Sequence, residues 1–566
     1  MEHKHLVFLL LIAGLLLRIY SSVYTPIIPF DEMLYMLVAI GTVSSPWQRL
    51  STLYHGPIYF YLTDLSFSLF GGMTYFASRF FPIIFSTASI ALVYLLSKEL
   101  YGKRTALLSS AIFALLSTTV IYGSRGLFEP IYTALLLLSF LFFVRRLKYN
   151  DNKELLYSAS FFAVAATTKI VVFYFLPAFA VYYFLSVKKV QATEFAKPVL
   201  VFLLLFSPII LYNYFLYSDK GLADFHVTRI FNIESSRQTF LSFNFAGIAD
   251  PWFRQAYSTL PLAFYNIFIN ITPLALLLMV AGLLSVLSFQ NKREDGFLLA
   301  WLTIPVILYA AYVFHDYYIA VLSPPIAILI AKGVEALASL AGKAKAHPVL
   351  LGILVIFALF ELYSFSNVSV GKSANYQLRE FALTIPNNAI ILTDPLIYDI
   401  YAYASFANVH GAPSSRFIDL IYDVHNLGFV DDVHSDMYYV KCELDNCGWD
   451  DKSLSGARNQ SRDYGAAILP QSAKIKEIYE GKILVYGIYR TTTALPRAAM
   501  ESLENYDLFG SQVGKPELSI DVYRLHGPLY EILNIIGHAA LYFDIFLALL
   551  CIPLTIKLLA DEKENE

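Results

Sequence analysis

Apolar residues run through this chain in blocks long enough to cross a bilayer, separated by short polar connections. HLVFLLLIAGLLL (5–17), ALLLLSFLFFV (134–144) and LALLLMVAGLLSVL (274–287) contain no Asp, Glu, Lys or Arg. Runs near 20 residues, rising 1.5 Å per residue, match the roughly 30 Å hydrocarbon core of a membrane. The pattern predicts membrane helices near 5–23, 80–98, 105–122, 130–144, 155–168, 170–187, 198–217, 260–289, 297–313, 317–340, 348–365 and 530–558. The fold class is therefore a polytopic α-helical membrane protein of about 12 transmembrane helices. The first block has the form of a signal-peptide core. No small-x-small site follows it, and LLLRIYSSVYTP continues as a membrane exit, so it reads as a retained signal anchor.

The connections alternate in charge. KELYGKR (98–104), RRLKYNDNKE (145–154), VKKVQATEFAK (187–197), QNKRED (290–295) and GKAKAH (342–347) are basic-rich and read as cytoplasmic by the positive-inside rule. Both termini then lie in the cytoplasm, the C-terminal one as a short acidic tail over 559–566. The opposite, outer face receives loops 24–79 and 218–259, the turn SRGLFEP (124–130), the short connection HDYY (315–318) and a large insert over 366–529. This divides the chain into a membrane domain over 1–365, an extracytoplasmic module over 366–529 and a final span over 530–558.

The insert is less apolar and reads as an α/β module. SANYQLREFALTIPNN predicts a helix ending at Pro386, and AIILTD a short strand. IKEIYEGKILVYGIYR (475–490) predicts a hairpin turning at Glu480-Gly481, and LSIDVYRL (518–525) a further strand. The stretch 442–463 is turn-rich and reads as a surface loop. Asn367-Val-Ser and Asn459-Gln-Ser are sequons on this face, whereas Asn270-Ile-Thr lies within a span.

Composition agrees with the pattern. Of 566 residues, 57% are hydrophobic and only 15% charged, where soluble domains carry about 25%. The net charge of −3 implies no polyanionic partner such as nucleic acid. Of three cysteines, Cys551 lies in an apolar run, while Cys442 and Cys447 suit a disulfide in an oxidising outer compartment.

The chemistry-bearing residues cluster on the outer side. Ionisable groups at membrane depth are costly and point to function. Asp31-Glu32, in PFDEMLYML, can be acids favoured by a helix N-terminus, or a proton-accepting pair in which one carboxylate orients the other or holds a metal. His55-Gly56-Pro57 opens an aromatic, apolar stretch consistent with a re-entrant or interfacial helix. The proline fits a helix start and the glycine a turn. Arg125 and Glu129, four apart, read either as an ion pair or as a phosphate ligand beside an acid. Lys169, in AATTKIVVF, can snorkel or meet an anionic head group. His315-Asp316 stands among tyrosines at another outer turn. Five such sites on one face point to a shared polar cavity.

Asp31-Glu32, HGPIY from His55, RFFP from Arg79, SRGLFEP with Arg125 and Glu129, TTK ending at Lys169, and FHDYYIAVLSPP around His315 follow in this order over residues 1–340. Together they resemble the GT-C glycosyltransferases. Within them they resemble the branch of protein O-mannosyltransferases and the lipid A aminoarabinose transferase, in bacterial or archaeal form. The resemblance implies a plasma-membrane enzyme that moves a sugar from a polyprenyl-phosphate donor to a protein or lipid acceptor at the outer face. By position it makes Asp31 the base, Glu32 its orienter or a metal ligand, and Glu129 a second catalytic acid. Arg125, Lys169 and Arg229 would face the donor phosphate, with Arg229, Arg237 and Arg254 in a loop able to close over it. His55 and His315 would stand on the metal side, and a divalent metal is the only cofactor implied.

The motif departs from the family in reading His55-Gly56-Pro57 rather than H-P-P, and in carrying Glu at 129 where some members carry Asp. No MIR-like repeat is present, and GWDD (448–451) is a poor match to the oligosaccharyltransferase WWDYG motif. The competing class is a transporter or lipid carrier using the acids as a proton or cation relay. Such proteins usually place these groups near the midplane and show internal halves. A structural membrane protein displaying the 366–529 module is a third class, and it leaves the outer cluster without a purpose.

Overall fold

The computed structural model describes residues 3–24, 56–72, 74–187, 192–220, 271–312, 316–342, 346–369, 437–443, 469–480, 482–491 and 527–561. It also describes scattered residues between 32 and 39, between 260 and 270 and between 377 and 385, and the strands 390–393 and 416–419. The chain opens with α1 (His3–Tyr24), α2 (Ile58–Leu69), α3 (Tyr75–Tyr101), α4 (Lys103–Leu115) and α5 (Ser117–Gly123). Next come α6 (Glu129–Tyr149), α7 (Asn152–Thr168), a 3-10 turn at Ile170–Phe175, α8 (Leu176–Ser186), α9 (Ala196–Leu205) and α10 (Ser207–Lys220). The later helices are α11 (Pro273–Val286), α12 (Lys292–Tyr312), α13 (Ile319–Leu340), α14 (Ala346–Ser369) and α15 (Pro528–Ala560).

Among the described residues, 6 helices are long and apolar enough to cross a membrane, or up to 9 if each bent pair is one span. The chain is thus a multi-pass helical membrane protein, with fewer unbroken spans than the 12 expected. The difference lies partly in broken helices. The block read as one span over 105–122 bends by 59° between α4 and α5, and that read over 198–217 bends by 53° between α9 and α10. A membrane helix can break only where other groups satisfy the freed backbone. Leu116 is extended at the first break, and the Ser117 N–H turns to the side chain of Glu361 (2.8 Å).

Helices α3, α6 and α13 are buried through most of their length, whereas α1, α14 and α15 leave long apolar sides uncovered. The centre is therefore protein-packed and the periphery suited to lipid. Where α11 crosses α13, a Cβ on Gly282 would lie 1.8 Å from the Leu329 carbonyl oxygen, and one on Gly333 1.9 Å from that of Leu278. The two backbones touch, as small residues allow in bilayers.

The basic connections meet at one end of the bundle. Glu99 binds Arg145 (3.1 Å) and Tyr149 (2.9 Å), Arg146 binds Glu194 (3.1 Å), Tyr101 donates to Asp295 (3.1 Å), and Thr105 donates to Glu335. Segments assigned to one side by charge alone are thus neighbours in space.

The insert holds a mixed five-stranded sheet: β1 (Ile390–Thr393), β2 (Arg416–Asp419), β3 (Met437–Cys442), β4 (Ser472–Glu480) and β5 (Ile483–Thr491), in the order β2-β1-β3-β5-β4. β1 pairs in parallel with β2 and β3, and β5 runs antiparallel to β3 and β4. The expected strand at AIILTD and the expected hairpin are β1 and β4–β5. β2 and β3 were not anticipated, and the strand expected at 518–525 lies outside the described residues. Cys442, at the end of β3, is disulfide-bonded.

The glycine crossing yields a stability test. Gly333→Leu should force α11 and α13 apart and cost on the order of 3 kcal/mol. Gly352→Ala, on α14 with nothing within 4 Å of its Cβ position, should leave stability unchanged. Thermal unfolding of both variants in detergent checks this.

Candidate active site

The end of the bundle opposite the basic connections holds two buried ion pairs. The first joins three segments distant in sequence. Glu32 is fully buried and takes both prongs of the Arg79 guanidinium, Nε to Oε1 at 2.6 Å and Nη2 to Oε2 at 2.9 Å. Arg79 also donates from Nη1 to the Ser22 carbonyl at the end of α1 (2.6 Å). Glu32 Oε1 accepts the Gly126 backbone N–H (2.6 Å). A Cβ at Gly126 would lie 3.0 Å from Glu32 Oε1, so glycine is what admits the carboxylate. The hydroxyl of Ser124 reaches that of Ser21 (2.7 Å), closing the same corner.

Arg79 reaches this corner because α3 starts there, capped by the Thr74 side chain accepting from the Ala77 N–H (3.0 Å). Burial pushes the Glu32 carboxyl up. The Arg79 charge and bonds, the Gly126 N–H and the charge of Arg125 outweigh it, so the group sits below the usual carboxylate range.

The second pair is Glu129 and Lys169, 2.6 Å between Oε1 and Nζ, both buried. Glu129 opens α6, with Pro130 behind it in the first turn, where a carboxylate is favoured by the helix dipole. Lys169 caps α7 in an extended conformation, so its side chain leaves the helix and crosses to Glu129. The ammonium lies 5.6 Å from the Phe128 ring, 5.2 Å from Tyr317 and 5.1 Å from Tyr318. This aromatic cage suits a cation withdrawn from water. Tyr318 in turn stacks on Tyr309 (4.2 Å), and Phe128 packs between Tyr35 and Tyr59 (4.7 and 4.3 Å). The second oxygen of Glu129, Oε2, is buried with no hydrogen-bond partner among the described residues.

Arg125 stands between the pairs in sequence. It is half-buried, its guanidinium over the Tyr122 ring at 5.3 Å, and its charge reaches Glu32. The i,i+4 partnership with Glu129 is not formed, because Glu129 turns to Lys169. Gly56 also has a different reason than a turn: a Cβ there would fall 1.6 Å from the Thr167 carbonyl oxygen. The entrance to α2 thus presses against the last turn of α7, next to Lys169. Pro57 caps α2 at its start, as expected.

Of the residues singled out in the sequence, the structure brings together Glu32, Arg125, Glu129 and Lys169. Asp31, His55, Arg229 and His315 lie outside the described residues. Glu32, expected to orient Asp31 or hold a metal, has both oxygens engaged by Arg79 and Gly126. Among the described residues no three His, Cys, Asp or Glu side chains converge to hold a metal, so the described part of the site does not fit one. Arg79 stands in the RFFP motif, whose position alone names no partner for it. Its signal was available, since a lone arginine in an apolar span implies a buried acid nearby.

Comparison with known proteins bears on this site. The family model described as dolichyl-phosphate-mannose-protein mannosyltransferase matches residues 54–212, which include Arg79, Arg125, Glu129 and Lys169. The fold is shared with ArnT from Cupriavidus metallidurans bound to undecaprenyl phosphate, with a TM-score of 0.52 and 11% identity over 86% of this chain and 98% of that one. The apo structure of the same protein gives a TM-score of 0.50 and 12% identity over 86% and 97%. Comparison with the curated proteins found no match. Residues 54–212 thus match a mannosyltransferase family model of the kind the sequence resembles, and the fold is shared with ArnT.

Arg79→Met should cost on the order of 3–5 kcal/mol by stranding a buried carboxylate, and adding Glu32→Gln should recover part of it. The folded Glu32 value lies below the unfolded one near ~4.3. The pair's contribution is therefore complete above that pH and is lost as pH falls through the folded value. Thermal unfolding of the two variants against pH measures both effects.

Proposed function

We propose that this chain, with a GT-C fold and the mannosyltransferase pattern over residues 54–212, is a membrane glycosyltransferase using a polyprenyl-phosphate-linked sugar. The acceptor is a protein or lipid hydroxyl. The observation that carries the reading is the buried Glu129–Lys169 pair, caged by aromatics, with one carboxylate oxygen unengaged among the described residues. A structural ion pair would be expected to satisfy both oxygens, as Glu32 does.

The site faces the outside of the plasma membrane. Supporting this side are the basic connections gathered at the opposite end and the disulfide at Cys442, which suits an oxidising compartment. ArnT, which shares the fold, was solved with undecaprenyl phosphate bound. By analogy the donor lipid lies against the uncovered apolar helices, with its phosphate toward Arg125 and Lys169. Arg229 joins them from the 218–259 loop.

In the reaction the acceptor oxygen attacks the anomeric carbon and its proton passes to the Asp31 carboxylate. The carbon–oxygen bond to phosphate breaks, and polyprenyl phosphate leaves with the electron pair. Arg125 and Lys169 stabilise the charge that grows on the phosphate. Glu129 Oε2 accepts a hydrogen bond from a substrate hydroxyl, and Lys169 holds the carboxylate in place through Oε1. Glu32 acts through Arg79 to hold the corner rigid.

The test is transfer from a panel of radiolabelled polyprenyl-phosphate sugars by purified protein. Glu129→Gln and Lys169→Met should each lower kcat/KM by roughly a hundredfold, and Asp31→Asn by about 10²–10⁴. No transfer by wild type to any acceptor, with substrate flux in liposomes instead, would point to a transporter. Full activity of Asp31→Asn would remove it as the base.

A further inference from the structure

Glu361 is a carboxylate at membrane depth that the reaction above does not use. It lies fully buried on α14, in FALFELY, and no cation pairs with it among the described residues. Its oxygens are instead divided between two helix starts. Oε2 accepts the Ser117 backbone N–H at the break between α4 and α5 (2.8 Å). Oε1 accepts the hydroxyl of Thr272, which itself caps α11 by accepting from the Ala275 N–H (3.3 Å).

A second tie closes the arrangement. At the other end of α5, the Tyr122 hydroxyl donates to Asn270 Oδ1 (3.1 Å). The stretch 270–272 is thus fastened to α5 at both ends of that helix, through Glu361 at the start and Tyr122 at the finish. Helix α5 carries nothing else of chemical interest, but it delivers the turn that follows. Tyr122 supports Arg125 from below its guanidinium, and Gly126 donates to Glu32.

We infer that Glu361 is a positioning residue for the donor site: by holding α5 at its bend and docking residues 270–272 along it, it fixes where Tyr122 presents Arg125. The physical reason is local. A seven-residue helix is too short to hold its direction by its own backbone bonds. Its bend leaves N–H groups that only an acceptor from a neighbouring helix can satisfy in a dry interior. A carboxylate supplies two acceptors at once and so ties two helix starts together. The inference rests on Arg125 facing the donor phosphate, as proposed above.

The experiment compares wild type, Glu361→Ala, Glu361→Gln and Thr272→Val, each alone and combined with Arg125→Ala, by donor KM, kcat and thermal unfolding. Glu361→Ala should raise donor KM about tenfold while kcat changes less than about threefold, and Glu361→Gln, which keeps one acceptor, should fall between. In the Arg125→Ala background the added loss should largely vanish, because both substitutions remove the same contact. Fully additive losses, or a normal KM in folded Glu361→Ala, overturn the inference.

If Glu361→Ala does not fold, Thr272→Val decides, since it removes one arm and leaves the Ser117 bond. A normal KM there overturns the inference as well. A readout independent of turnover is the thiol-labelling rate of Arg125→Cys, which should change severalfold when Glu361→Gln or Thr272→Val is added. An unchanged rate refutes the positioning role. A changed rate with a wild type that transfers no sugar upholds the positioning and refutes only the glycosyltransferase reading.

Discussion

The geometry of the polar corner depends on one interaction, the fork of Arg79 on Glu32. Either charge alone in this dry setting would cost several kcal/mol, and pairing offsets that only when the remaining polar valences are also met. Here they are met by backbone: the Ser22 carbonyl for the guanidinium and the Gly126 N–H for the carboxylate. Consequently the end of α1, the first loop, the start of α3 and the turn after α5 cannot shift independently. A rigid turn at Gly126 fixes Arg125 one residue before it and Glu129 three residues after. The placement of those two residues therefore depends on this pair.

The second pair differs from the first in a way that separates scaffold from chemistry. Glu32 has no oxygen left over. Glu129 has one among the described residues, held buried beside a caged ammonium. A low-dielectric site strengthens whatever meets that oxygen, and an acceptor left open there is costly in the absence of a partner. Such a cost is tolerable at a site that a hydroxyl-bearing substrate fills and hard to explain in a scaffold.

Much of this was legible in the sequence because membranes simplify the code. Hydrophobic runs located helices, and lysines and arginines alone grouped connections of which four, 98–104, 145–154, 187–197 and 290–295, touch one another in space. Motif order then picked out Glu32, Arg125, Glu129 and Lys169 as neighbours. Partnerships were not legible. Arg125 and Glu129 have ideal i,i+4 spacing, yet the extended backbone at Lys169 swings a cation from another helix into Glu129, and no local rule reports that. Helix breaks were also hidden, since Leu116 looks like any other apolar residue. The signal for the break lay 245 positions later, in the lone acid of FALFELY. Single ionisable residues inside apolar runs thus mark the ties between helices. Arg18 bonds Ser86 (2.7 Å) deep in the bundle, Arg79 and Glu361 tie helices together, and the buried carboxyl of Asp544 has no hydrogen-bond partner among the described residues.

Those interior charges bear on how the bundle is held together in a membrane. Apolar packing between helices gains little in a bilayer, because lipid tails are as apolar as leucine. Helices that must stay fixed therefore need close backbone contact or polar ties. The bundle uses both at its centre: glycines where α11 meets α13, and charged or hydroxyl groups joining α1, α3, α5, α7 and α14. The peripheral sides of α1, α14 and α15 are smooth and apolar. This distribution leaves the periphery apolar while the polar corner is braced from several helices. Were the ties spread evenly instead, polar groups would face the bilayer along the sides of the bundle, and the corner that holds Arg125 and Glu129 would lose part of its bracing.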